Sequence, residues 1–304
     1  MIDLTLLGCG GNVPIPNRFL SSLFINYNGR KILIDCGEGT QVSLKVNKCG
    51  FKDIDLICIT HLHGDHIFGL PGILSTIGNS GKTEDLTILG PSGITDAVKY
   101  MKSLIGVLPY NVKVVENPEV NFKLSDPNFK NLEISTIDLE HSVECIGYSF
   151  KFNRSREFDM DKAFYNDVPR FMWRKLQNGE TMIINDKTYT PEMVLGNERI
   201  GIKLSFITDT RPVIEIPDFI KDSDLLVCEA MYGDDLDIDK AVKNKHMTFR
   251  ESANLARLGN ASQLLLTHFS PSVMKPEIFI DNAKDVFENT IVGEDGLKLS
   301  LKYK

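Results

Sequence analysis

Short apolar, β-branched runs recur along the chain at Leu4–Leu7, Leu23–Ile25, Lys31–Ile34, Leu56–Thr60, Leu86–Leu89, Leu132–Ile137, Lys203–Thr208, Leu225–Val227 and Gln263–Thr267. Each has the length of a strand and is bounded by Gly, Asp, Asn or Pro, which predicts strands at these places. Helical spacing is rarer and predicts helices over Leu70–Ile77, Ile94–Leu104 and Phe249–Leu258. The last opens on Thr248, with Glu251 placed to complete a T-x-x-E capping box. Strands precede and follow helices across the chain, so the fold class is α/β. No low-complexity linker and no short-period repeat breaks the alternation.

One segment departs from it. From about 151 to 189 the strand pattern weakens while charge and aromatic content rise. Between Lys151 and Lys175, the cations Lys151, Arg154, Arg156, Lys162, Arg170, Arg174 and Lys175 outnumber Glu157, Asp159, Asp161 and Asp167, a local excess of +3 in a chain of −7. Phe158, Phe164, Tyr165, Phe171 and Trp173 are interleaved with them. The pattern reads as an arm inserted into a single domain that spans 1–304.

A net charge of −7 gives no bulk attraction to nucleic acid. A Debye length of ~8 Å at physiological salt still lets a local basic patch act on its own. The opening Met1-Ile2-Asp3-Leu4 has no basic region and no long apolar one, so no secretory signal is expected. Nothing approaches the ~20 uninterrupted apolar residues that span a bilayer. Cys9, Cys36, Cys49, Cys58, Cys145 and Cys228 form no C-x-x-C pair and lie in or beside apolar runs, which favours buried, reduced thiols. Together these features predict a soluble cytoplasmic protein with no membrane partner.

The candidate chemistry is concentrated in His61-Leu62-His63-Gly64-Asp65-His66, directly after the run Leu56–Thr60. Imidazole and carboxylate suit zinc and related divalent ions. Alternate residues His61 and His63 can reach one ion from an extended strand end, and Gly64 lets the chain turn Asp65 and His66 toward a second. His141, Asp209 and His268 each follow a predicted strand, where open α/β sheets place their ligand sites. Taken singly, His141 or His268 would read as a hydrogen-bonded loop residue and Asp209 as the start of a turn. Beside the histidine cluster they read as ligands. One zinc then takes His61, His63 and His141, the other Asp65, His66 and His268, and Asp209 has two oxygens with which to bridge them. A hydroxide shared between the ions is the natural nucleophile, since zinc lowers the pKa of bound water to ~7.

The sixth histidine, His246, precedes the capped helix. It reads either as a solvated residue before an N-cap or as a general acid, with Glu229 after Leu225–Val227 as the partner that orients it and raises its pKa. Gly8-Cys9-Gly10-Gly11 lacks the third glycine of G-x-G-x-x-G and reads as a tight turn. Asp234–Asp239 reads as a solvated acidic surface.

These residues resemble ribonuclease Z, of the metallo-β-lactamase superfamily. The match rests on Ile59-Thr60 through Phe68-Gly69-Leu70-Pro71-Gly72 around the histidines, and on Asp35-Cys36-Gly37-Glu38-Gly39-Thr40-Gln41 upstream. It extends over Leu7-Gly8-Cys9-Gly10-Gly11, Gly90-Pro91-Ser92-Gly93, Leu139-Glu140-His141-Ser142, Thr208-Asp209-Thr210-Arg211 and Leu266-Thr267-His268-Phe269-Ser270, in order over nearly the whole chain. The resemblance implies an αββα sandwich of two similar halves, two zinc ions per chain at one sheet edge, and a homodimer. It implies endonucleolytic processing of tRNA precursors at the 3′ end, leaving a 3′-hydroxyl. Asp65 matches the metal-binding proton acceptor, Glu229 the Glu of a His-Glu-Ala-Thr motif, and His246 the His of a His-Ser-Thr motif. Val168–Glu180 is similar to the exosite that grips the tRNA elbow, which makes Lys151, Arg154, Arg156, Arg170, Arg174 and Lys175 candidate RNA contacts. Two departures stand out: Arg170-Phe171 replaces a Gly-Pro step, and Cys228 replaces the first His of His-Glu-Ala-Thr.

The leading expectation is therefore a zinc-dependent tRNA 3′-endonuclease. The alternative is a phosphodiesterase of the same fold acting on small or cyclic phosphodiesters, which would need the metals but no RNA-gripping arm. A catalytically dead RNA-binding homologue is disfavoured by seven intact ligands, and a β-lactam hydrolase by the missing export signal.

Overall fold

The computed structural model describes residues 1–119, 122–123, 129 and 131–304. The chain opens with β1 (Ile2–Gly8), β2 (Ser22–Tyr27), β3 (Arg30–Ile34), α1 (Thr40–Val46), β4 (Ile54–Cys58), α2 (Gly64–Ile67), α3 (Leu70–Asn79), β5 (Leu86–Gly90), α4 (Ile94–Ile105) and β6 (Val112–Glu116). β1 to β3 form an antiparallel meander, and β3 to β6 continue in parallel. The chain then runs through β7 (Phe122–Lys123), β8 (Leu132–Leu139) and β9 (Cys145–Arg154) to an insertion with α5 (Met160–Tyr165), α6 (Trp173–Gln177), β10 (Met182–Ile184) and β11 (Lys187–Tyr189). It resumes with β12 (Arg199–Ile207), α7 (Ile216–Phe219), β13 (Leu225–Glu229), α8 (Ile238–Asn244), α9 (Phe249–Leu258), β14 (Leu264–Thr267), α10 (Ile280–Lys284) and β15 (Thr290–Val292). The last strand, β16 (Lys298–Leu301), returns antiparallel to β1.

Among the described residues there are two seven-stranded sheets, ordered β16-β1-β2-β3-β4-β5-β6 and β15-β14-β13-β12-β9-β8-β7, and a separate antiparallel pair, β10 with β11. Both seven-stranded sheets contain a run of parallel strands, β3 to β6 in one and β12 to β15 in the other, as the expected two halves require. On α3, Leu70, Ile73, Leu74 and Ile77 fall on one face and pack with Ile57 and Ile88 of the first sheet. Yet β4, β13 and β14 are buried at every position, so their other faces are covered too. Each sheet carries helices on its outer side and the other sheet on its inner side, the expected αββα sandwich. Tyr148 Oη donates to Ile59 O at 2.8 Å and Ile146 N to Thr60 O at 2.9 Å, tying β9 of the second sheet to the loop that carries the histidine cluster.

α9 begins as its sequence predicts. Thr248 Oγ1 accepts from Glu251 N at 3.3 Å and Glu251 accepts from Thr248 N at 3.0 Å, closing the capping box. Such a cap contributes ~0.5–2 kcal/mol and fixes the entry of the helix just after His246.

Phe152–Gly201 with Tyr303–Lys304 forms a second compact unit. It has its own core of Ala163, Val168, Met172, Leu176, Tyr189 and Val194. Trp173 donates from Nε1 to Val168 O at 2.9 Å, with the rings of Phe158 and Phe164 4.9 and 5.6 Å away. The sequence pattern predicts the arm over about 151–189. The compact unit extends to Gly201 because Val194 and Leu195 close its core and Leu195 bridges to Phe158.

Candidate metal centre

Strand ends deliver the candidate ligands. His61 and His63 lie past β4, His141 past β8, Asp209 past β12 and His268 past β14. Asp35, Asp209 and His268, each next to a strand end, take φ of 57°, 38° and 59°. Left-handed backbone costs these residues ~1–3 kcal/mol each and persists where the surrounding structure holds it. The Gly8-Cys9-Gly10-Gly11 stretch supports the same edge, and not as the tight turn its composition predicts. Gly10 bridges to Leu20 and Phe269 in extended form, and a Cβ on Gly11 would lie 2.5 Å from the His268 ring. Glycine is required there for close approach.

The expected ligands converge in two groups that share Asp209: His61, His63 and His141 on one side, and Asp65, His66 and His268 on the other. In the first, His63 Nδ1 lies 3.1 Å from His61 Nε2 and 3.2 Å from His141 Nε2, and Asp209 Oδ2 lies 3.5 and 3.7 Å from the same two Nε2 atoms. In the second, His66 Nε2 lies 3.2 Å from His268 Nε2 and 3.5 Å from Asp65 Oδ2. Asp209 turns its other oxygen, Oδ1, to His66 at 3.4 Å and His268 at 3.2 Å. A tetrahedral zinc with bonds of ~2.0–2.1 Å separates its ligand atoms by ~3.3 Å. The nitrogen and oxygen set and its spacing therefore fit two divalent ions.

The electrostatics agree. Burial pushes His61 and His141 down, His61 well below its ordinary value, so both are neutral donors. Burial also pulls His66 down, but Asp209 and Asp35 outweigh it and hold the ring well above its usual range. A field that draws a proton onto His66 is one that a divalent cation satisfies instead. For Asp65, burial raises the pKa, but hydrogen bonds from His268 and His66 hold it well below the carboxylate range. Asp209 follows the same balance, with His268, His66 and His61 outweighing burial.

Outer partners fix the ligands. Asp35 accepts from His66 Nδ1 at 2.7 Å and from Thr60 N at 2.8 Å. The Thr60 hydroxyl contacts Asp35 Oδ2 at 2.9 Å and His61 Nδ1 at 3.1 Å. Asn12 N donates to Asp65 Oδ2 at 2.6 Å. None of these roles is named by the sequence pattern, although Asp35 follows a strand just as the ligands do.

Beside the metal donors, His246 Nδ1 lies 3.1 Å from Glu229 Oε1. The Glu229 carboxylate also accepts from the backbone nitrogens of Thr210 at 2.7 Å, Met247 at 3.2 Å and Met231 at 3.3 Å, so its oxygens are fully occupied in holding the site. Burial lowers the His246 pKa, but Glu229 outweighs it and raises the ring to about 9. Arg211 donates to His246 O and to both oxygens of Glu251, 3.0 Å at one of them. The loop after Asp209 thus grips both His246 and the capping box. A pocket of about 860 Å³ opens over the donors and is also lined by Phe68, Val13, Lys243 and Lys245. The pair Lys243 and Lys245 is the sequence signal that could have pointed to these cations. Asp234–Asp239 is the surface the sequence predicts, with Leu236 87% exposed.

In the second compact unit the candidate RNA contacts divide. Arg156 donates to Gly196 O at 2.6 Å, Leu195 O at 3.3 Å and Glu192 Oε1 at 2.8 Å, so its guanidinium is engaged in holding the unit together. Arg154 donates to Lys304 O at 3.0 Å and lies over Tyr303. Arg170 is exposed and lies over the rings of Phe164 and Trp173. Arg174 and Lys175 are exposed side by side on α6; Lys151, on β9, belongs to the first unit and is exposed as well.

Comparison with known proteins adds three findings. The family model described as Anti-Pycsar protein Apyc1 matches residues 2–195, a span that ends before Asp209, Glu229, His246 and His268. The chain is 68% identical to ribonuclease Z of Clostridioides difficile (strain 630) over 100% of its own length and 99% of that protein, and 54% identical to ribonuclease Z of Clostridium beijerinckii over 100% and 99%. Among solved structures it is similar to human tRNase Z, short form, with a TM-score of 0.70, 25% identity, and 99% of each chain covered.

Proposed function

The chain belongs to the ribonuclease Z family, and on that premise we propose that it works with two zinc ions, one held by His61, His63 and His141, the other by Asp65, His66 and His268, with Asp209 between them. It is a metal-dependent tRNA 3′-processing endoribonuclease that hydrolyses phosphodiester bonds. Ions bound there would supply Lewis acidity toward the scissile phosphate and lower the pKa of the attacking water.

The protein's own groups do the rest. Asp65, held ionised and fixed by Asn12 N, accepts the proton from the attacking water. As the new P–O bond forms and the P–O3′ bond breaks, His246 gives its proton to the departing 3′-oxygen, which leaves as the hydroxyl of the tRNA. Glu229 keeps His246 protonated and oriented through Nδ1, leaving Nε2 for the substrate. Lys151, Arg170, Arg174 and Lys175 supply phosphate contacts to the body of the tRNA. The free state of all six cysteines suits a reducing cytoplasm, and the family resemblance supports a homodimer, which light scattering tests.

The observation that carries this reading is the division of Asp209, with Oδ2 3.5 Å from His61 and Oδ1 3.2 Å from His268. The test is metal analysis alongside cleavage of precursor tRNA and of bis(p-nitrophenyl) phosphate, before and after chelation. Two zinc ions per chain and loss of both activities on chelation are expected. A single high-affinity site would refute the dinuclear reading.

A further inference from the structure

Phe68 ends α2, just beyond the ligands His63, Asp65 and His66, and remains 68% exposed. Single exposed apolar residues are ordinary on protein surfaces and by themselves mean nothing. This one has a seat. A Cβ on Gly64 would come within 2.6–3.1 Å of its ring, so the glycine between His63 and Asp65 lets the ring lie against the backbone of the ligand loop. The ring also lines the pocket over the metal donors, together with Val13, Pro14 and Leu20. Val13 is itself 50% exposed. The same pocket holds Lys243 and Lys245, the first exposed and the second donating from Nζ to His141 O at 3.2 Å.

An RNA strand crossing this pocket presents three kinds of surface. Its phosphates suit the lysines and the cations that the metal donors would hold. Its ribose edges are polar. Only the bases offer a flat apolar face, and an exposed aromatic ring is the usual partner for an unpaired base. We propose that Phe68 is a stacking platform for the base of a nucleotide adjoining the scissile phosphate. The proposal rests on the RNA-cleaving function stated above and adds to it a base-binding subsite beside the metal centre. Stacking tolerates any base, so the subsite places the strand over the metals without reading a sequence.

The test couples protein and substrate changes. Precursor tRNAs are made with an abasic residue immediately 5′ or immediately 3′ of the cleaved bond and assayed with wild-type protein, Phe68→Ala and Phe68→Trp. On the intact precursor, Phe68→Ala should lower kcat/KM by roughly 5- to 150-fold, the range that base–aromatic stacking gives on alanine substitution. Phe68→Trp should stay within a few-fold of wild type. On one of the two abasic precursors, wild type and Phe68→Ala should become equal. An equal loss on all three precursors would overturn the proposal, because the ring would then serve only the loop. A second readout needs no turnover: 2-aminopurine at the identified position should be quenched on binding to chelator-treated wild type and Phe68→Trp, but not to Phe68→Leu. Identical quenching with Phe68→Leu would also overturn it. If wild-type protein cleaves bis(p-nitrophenyl) phosphate but no precursor tRNA, the RNA reading itself fails, an outcome distinct from the other two.

Discussion

The Asp35 carboxylate lies 2.7 Å from His66 Nδ1, and through Thr60 it also reaches His61, so one buried side chain orients a ligand in each of the two donor groups. Partners of this kind fix the tautomer and direction of a ligating imidazole, and their loss typically costs ~10–100-fold in metal affinity. Asp35→Ala should therefore weaken metal binding by about that factor while the fold survives. Asp35→Asn retains an acceptor oxygen for His66 and should lose less. Competition with a chelating dye checks both, and unchanged affinity in Asp35→Ala would remove Asp35 from the site.

Asp209 separates the two-ion reading from any one-ion alternative. Its oxygens address different groups, so Asp209→Ala should lower the metal content of both sites. His141 belongs to one group only, and His141→Ala should leave close to one ion per chain. Mass spectrometry of metal-loaded protein under native conditions reads the stoichiometry directly.

His246 is argued to act on the leaving group, and leaving groups differ in how much help they need. A ribose 3′-oxygen is a poor leaving group and gains from a proton donor, which typically contributes ~10²–10⁴-fold. A p-nitrophenolate departs without one. His246→Ala should then cut precursor cleavage by that order and barely slow hydrolysis of bis(p-nitrophenyl) phosphate, whereas Asp65→Ala should abolish both. Glu229→Gln should follow the His246 pattern more weakly, since it keeps the neighbouring backbone nitrogens partly satisfied. Equal loss on both substrates in His246→Ala would assign His246 to the metals or the fold.

The sequence made the candidate ligands legible because they obey a simple rule: a polar residue just past an apolar, strand-length run. His141, Asp209 and His268 follow that rule, and so does Asp35, which a search for metal motifs passes over because its partner is a histidine and not an ion. The helix Phe249–Leu258 was legible to the residue because its cap is local. β9 was not. Its Gly147 and Ser149 interrupt the apolar pattern, yet a Cβ at Gly147 would lie 2.8 Å from Ile207 and 3.0 Å from Ile137, so the position is small because neighbouring side chains lean over it. The ion pairs of the arm were hidden for a similar reason. Arg156 and Arg174 look alike in sequence, and only tertiary structure brings Glu192 and two carbonyls to the first.

That difference turns the arm into a graded test. Arg174 and Lys175 are exposed on α6, so reversing both to Glu should leave the unit folded and raise KM for precursor tRNA. It should also flatten the salt dependence, because each lost phosphate contact removes up to roughly one unit of slope. Hydrolysis of bis(p-nitrophenyl) phosphate should be unchanged, since that substrate meets only the metal centre. Arg156→Glu should behave differently. It removes donors from two carbonyls and places a carboxylate beside Glu192, so it should loosen the unit, seen as faster proteolysis within 152–201, before any direct effect on charge. If Arg156→Glu changed the salt slope while resisting proteolysis, its guanidinium would be a phosphate contact after all. If the Arg174 and Lys175 reversal left KM and slope untouched, the exposed cations of this unit would not be where the tRNA is held.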